Sequence, residues 1–194
     1  MARQKLSDEL KEAITLLSAK EKDKLLFRLI AKDEALVERL RFELLEDGST
    51  KEDRREEIYE MITDGFDKYR YYSPGYLLLV LRSLSGDINR HVKTTKDKYG
   101  EVQLNLLMLN KSLGLFGNKI SQAHPQKSRT LNNYVVKRAI KLVGLLRKMH
   151  KDYLLDFQED IENLGKCIDE QPLMKNLANE LGLDLEMLKR GEVD

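Results

Sequence analysis

Apolar side chains recur three and four positions apart along most of the chain, and only 3 prolines interrupt it. That spacing is one face of an α-helix, with its period of about 3.6 residues, and not the alternation of a strand. The clearest stretch runs from Leu131 to Gly165 without a proline. Val135, Ala139, Leu142, Val143 and Leu146 form one face, continued by Tyr153, Phe157, Ile161, Leu164 and Ile168. This stretch reads as one long helix or two in tandem. With 194 residues, 41% of them hydrophobic, the chain is long enough to bury a core without staples. The expected fold is therefore an all-α multi-helix bundle of about eight or nine helices, with stacked helical hairpins as one form of it.

Capping residues divide the pattern. Ser7 precedes a helix carrying Leu10, Ile14 and Leu17. Ser18-Ala19-Lys20-Glu21 has the form of a capping box before Leu25, Leu26, Leu29 and Ile30. Asp33 precedes Leu36, Val37, Leu40 and Leu44, and Glu46-Asp47-Gly48-Ser49 then breaks the period. These three short helices suggest a small N-terminal subdomain over residues 1–47, with the main bundle over 48–194. In the main part, helices are expected over about 51–70, 74–96 and 101–115. Lys98-Tyr99-Gly100 reads as a turn, and 118–130, containing His124-Pro125, as a long loop.

Charge is distributed unevenly. The stretch 71–151 holds 15 Lys and Arg against 3 acids, whereas 152–194 holds 4 against 12, although the whole chain carries only +1. Such segregation marks either an anionic partner or a charge clasp within the fold. The candidate contacts to nucleic acid or another anion are Lys93, Lys96, Lys119, Lys127, Arg129, Lys137, Lys141 and Lys148. Lys137, Lys141 and Lys148 lie opposite the apolar seam of their helix. Tyr71, Tyr72, Tyr76 and Tyr134 are candidate stacking surfaces beside them.

Other constellations carry less chemistry. Glu56, Glu60, Asp64 and Asp67 share one helical side, as carboxylates holding Mg²⁺ against a nucleotide phosphate do. Glu57-Ile58-Tyr59-Glu60 resembles the first half of the Glu-x-x-Glu then Glu-x-x-Asp signature of all-α nucleoside triphosphate pyrophosphohydrolases. That resemblance implies a Mg-dependent nucleotide hydrolase. The second half is missing, because Glu101 is followed by Val102-Gln103-Leu104. Leu177-Ala178 and Leu181-Gly182-Leu183, with Leu188 beyond, look like the middle of a DNA-binding helix-turn-helix. Phe66, Tyr69, Tyr71, Tyr72 and Tyr76 cluster around a helix junction, where ring packing is the plain reading.

Several classes are set aside. His91, His124 and His150 show no metal-ligand spacing, so neither a metal site nor a cofactor is expected. Cys167 is the only cysteine, so no intrachain disulfide forms. The longest apolar run, Tyr76–Leu81, is too short for a bilayer, and the N-terminus has no apolar signal core. A cytoplasmic location is expected. The leading functional expectation is a non-enzymatic protein-binding or adaptor protein with a basic central face, its partner another protein or a second copy. The alternative is a sequence-nonspecific nucleic-acid-binding protein using residues 71–151.

Overall fold

The computed structural model describes residues 5–68, 70, 71 and 73–193, with the side chain of residue 67 also outside the description. Among the described residues there are ten α-helices and no strand. The chain divides into two compact units, Met1–Gly48 and Ser49–Asp194.

The first unit holds α1 (Asp8–Leu16), α2 (Ala19–Ile30) and α3 (Glu34–Leu44). Each begins at the capping residue that the sequence offers. Ser7 accepts from the Leu10 amide, Asp33 from the Leu36 amide, and Ser18 with Glu21 closes a full capping box. The apolar seams are only half covered. Leu25, Ile30, Leu36 and Leu40 are partly buried, whereas Leu16, Phe27, Leu44 and Leu45 are exposed. Phe42 is the one buried hydrophobic side chain described in this unit.

The second unit is a bundle around one central helix. Helix α6 (Lys98–Ser121) is packed by α4 (Lys51–Lys68), α5 (Pro74–Thr95), α7 (Pro125–Leu146) and α8 (Lys151–Asp169). Its central position explains why it is apolar on nearly every side, with Val102, Leu104, Leu106, Met108 and Leu109 all buried. The Leu131–Gly165 pattern resolves into two helices, because His150 caps α8 by accepting from the Asp152 amide. The seam residues Val135, Ala139, Leu142, Val143 and Leu146 are buried, as are Phe157, Ile161, Leu164 and Ile168. Tyr153 is exposed and meets Tyr99 edge-on at 5.6 Å between ring centroids.

Two connections differ from the expected ones. Lys98-Tyr99-Gly100 is the first turn of α6, capped by the Asp97 side chain. The glycine there serves close packing, since a Cβ on Gly100 would sit 2.8 Å from Arg55 Cδ. The expected loop over 118–130 is mostly helix. Helix α6 continues to Ser121, and α7 starts at Pro125 behind the capping His124, which accepts from the Gln126 amide at 3.3 Å. Polar helix ends carry no apolar period, so they resemble loops in sequence.

The C-terminal pair, α9 (Pro172–Glu180) and α10 (Leu185–Lys189), turns at Gly182 with φ +75°. Ala178 is buried at this turn, as the helix-turn-helix pattern requires. The second helix does not present a reading surface, however. It packs on α8 with Leu185, Met187 and Leu188 buried, and has only 5 residues. Gly165 permits that approach, because a Cβ there would lie 2.9 Å from both Leu188 Cβ and the Lys189 backbone nitrogen.

Gly165→Ala therefore sets helix propensity against overpacking. Alanine favours the helix by about 1 kcal/mol, while forcing α10 away costs about 1–3 kcal/mol. The expected result is a net loss of stability in urea unfolding, with Leu188→Ala in the same background coupled to it and not additive.

Candidate functional site

The basic segment is organised by the acids it contains. Asp97 lies between α5 and α6 and is buried. Its carboxylate accepts from the Gly100 amide at 2.9 Å and from His91 Nε2 at 3.2 Å, and pairs with Arg55 Nη1 on α4 at 3.4 Å. Thr95 completes the turn, donating to the His91 carbonyl and accepting from the Asp97 amide. Burial alone would raise the Asp97 pKa. The hydrogen bonds from His91 and Gly100 and the Arg55 charge outweigh it and hold the carboxyl below the usual aspartate range.

Glu101, one turn further, is also buried. It accepts from Lys141 Nζ on α7 at 3.0 Å and from Lys98 Nζ at 3.4 Å. Asn105, the next turn again, accepts from Arg138 Nε at 2.8 Å. The cap and the first two turns of α6 thus present Asp97, Glu101 and Asn105 to cations or imidazole on α4, α5 and α7.

The candidate contacts divide according to whether this inner row engages them. Lys141 is tied to Glu101. Lys96 adopts a left-handed backbone with φ 59° and turns its ammonium back onto the Lys93 carbonyl, where it caps α5. Lys119 lies over the Tyr71 ring, 5.8 Å from its centroid. Lys93, Lys127, Arg129, Lys137 and Lys148 are exposed, and their side chains make no ion pair among the described residues. Lys127 and Arg129 stand on the first turns of α7, not in a loop.

The structure also brings Arg82 and Arg138, which are not among the candidate contacts, beside Lys137 and Lys141. A groove of about 370 Å³ between α5 and α7 is lined by Arg82, Lys137, Arg138 and Lys141, with no carboxylate among its lining residues. Tyr134 crosses between the two helices. Its hydroxyl donates to the Leu81 carbonyl at 3.2 Å and is hydrogen-bonded to Ser85. Arg82 breaks the apolar start of α5, the one sign in the sequence that this position faces outward. Its pairing with α7 depends on packing and leaves no mark in the chain.

The remaining constellations stay dispersed. Glu56, Glu60 and Asp64 are exposed along α4, and no group of three or more metal-ligating side chains occurs among the described residues. Phe66 and Tyr71 both pack on Phe116, with centroids 6.2 and 5.7 Å away, whereas Tyr69 and Tyr72 lie outside the described residues. Burial raises the Tyr71 hydroxyl pKa, as it does for the Cys167 thiol. No helix among the described residues is long and apolar enough to cross a membrane. No protein-family model, no curated protein and no solved structure matches this chain.

The Asp97 cluster sets a pH dependence. A carboxyl whose folded pKa is depressed contributes stability above its unfolded value of about 3.9 and loses it as pH falls through the folded pKa. Wild-type stability should therefore decline below about pH 4 more steeply than that of Asp97→Asn, which lacks this titration. Asp97→Asn should itself be less stable by about 3 kcal/mol at pH 7, since Arg55 and His91 lose their buried partner. Urea midpoints at pH 7 and pH 3 check both statements, and equal acid sensitivity in the two proteins would contradict them.

Proposed function

We propose that this protein is a non-enzymatic binding module whose basic face, carried by α5 and α7, holds the phosphate backbone of a nucleic acid without reading its sequence. The supporting observation is the groove lined by Arg82, Lys137, Arg138 and Lys141 with no acid in its wall. Lys127 and Arg129 extend the same helix toward its start, and Lys148 lies just past its end. Lys137 and Lys141 are one helical turn apart, about 6 Å along the axis. Lysine and arginine at such positions neutralise phosphates and fix register, but carry no base information. The buried α10 offers no reading helix, which favours backbone contact over sequence recognition.

A second reading has its own observation. The first unit leaves Leu16, Leu26, Phe27, Leu29, Leu44 and Leu45 exposed, more apolar surface than three short helices normally show to water. This favours an adaptor whose N-terminal unit docks a protein or a second copy. Light scattering of the full chain tests the self-docking form. A dimer mass that returns to monomer in Phe27→Lys supports it, and a monomer at every concentration removes it.

Fluorescence anisotropy with single-stranded and duplex oligonucleotides tests the first reading. About four neutralised phosphates predict a slope near −3 for log K against log salt, or roughly a 60-fold loss between 50 and 200 mM. Lys137→Glu and Lys148→Glu should weaken binding alike for every sequence. Absence of binding even at about 50 mM salt would end this reading.

A further inference from the structure

The groove between α5 and α7 contains more than an open basic face requires. Arg138 is half-buried, and its Nε is bound by Asn105, a neutral side chain. Its Nη2 is buried without a hydrogen-bond partner, and the guanidinium makes no ion pair among the described residues. A partly desolvated, uncompensated cation is costly to keep, and an anion seated beside it relieves that cost. Arg82 and Lys137 flank it with no ion pair of their own among the described residues, while Lys141 already shares its charge with Glu101.

The walls are set before any ligand arrives. The Tyr134 hydroxyl ties α7 to the Leu81 carbonyl and to Ser85 on α5, so the groove does not have to be ordered on binding. Thr130 and Asn133 add neutral side chains able to donate hydrogen bonds. Several unpaired cations and neutral donors gathered on one shallow groove suit the end of a strand better than its middle. An internal phosphodiester has one negative charge and two ester bonds leaving in different directions. A terminal phosphate has a charge of about −1.5 to −2 at neutral pH, three free acceptor oxygens and only one ester bond leaving.

We infer that the groove formed by Arg82, Tyr134, Lys137 and Arg138 is a pocket for the terminal phosphate of a nucleic-acid strand. The inference rests on reading the basic face as a nucleic-acid surface. It adds preference for a phosphorylated end to backbone binding that is otherwise indifferent to sequence.

The probes are three single strands of about 12 nucleotides, carrying a 5′-phosphate, a 3′-phosphate or hydroxyls at both ends, with an internal fluorophore. At about 50 mM salt one phosphorylated strand should bind about 5-fold tighter than the hydroxyl strand, the effect of one further charge contact. The double variant Arg82→Gln, Arg138→Gln should bring that ratio to one, with circular dichroism melting to show that it folds. Lys148→Gln, outside the groove, should weaken all three strands and keep the ratio. Should Arg138→Gln fail to fold, Arg82→Gln with Lys137→Gln serves instead, since both side chains are exposed. Equal affinity for all three strands in the wild type, with the expected salt slope, would overturn the pocket while leaving the backbone reading in place. No binding of any strand overturns both. Tighter binding of a phosphoserine peptide of similar charge than of any strand overturns the nucleic-acid source.

Discussion

One buried carboxylate fixes the geometry on which the rest depends. Asp97 meets Arg55 from α4, His91 from α5 and the Gly100 amide from α6. An ionised carboxylate in a core is tolerable only when its lone pairs are filled, and here three different helices fill them. The arrangement therefore specifies one relative placement of α4, α5 and α6, where apolar packing alone accepts several. Gly100 is part of the same constraint, because any side chain there would displace either Asp97 or Arg55.

From that point α6 acts as a divider of charge. Its inward polar residues, Glu101 and Asn105, take up Lys141 and Arg138 on α7. Lys93, Lys127, Arg129, Lys137 and Lys148 have no such acid opposite them among the described residues. The acidic C-terminal segment does not cover them either, since its carboxylates are partly engaged locally. Asp169 pairs with Lys175 and Lys189, and hydrogen bonds from the two lysines hold its carboxyl below the usual range. Glu162 pairs with Lys166, and Glu192 with Arg190. Lys93, Lys127, Arg129, Lys137 and Lys148 stay exposed, while these acids find partners within the C-terminal segment itself.

Much of the architecture was legible from the period of Leu, Ile and Val and from side-chain caps such as Ser7, Ser18 and Asp33. These act within one turn, so sequence neighbours contain the whole interaction. The helix ends at Ser121 and Pro125 were hidden, because polar terminal turns look the same as loops. So was the role of Gly100, whose reason is a contact with Arg55 on another helix. For the candidate site, the excess of Lys and Arg over 71–151 was plain. Which of them are free was not. Lys96 and Lys141 look like Lys137 in the chain, yet one caps α5 and the other binds Glu101. Arg82 and Arg138 join the groove only because α5 and α7 lie side by side, a long-range fact that spacing within one helix cannot carry.

The account stands on a division between engaged and unengaged lysines. Amine acylation followed by peptide mass mapping reads that division directly, in the free protein and with a single-stranded oligonucleotide present. Lys127, Lys137 and Lys148 should label fast when free and be protected together by the strand, with Lys141 slower from the outset and Lys175 unchanged throughout. Uniform labelling that no oligonucleotide alters, or protection falling on lysines of the first unit instead, would contradict it.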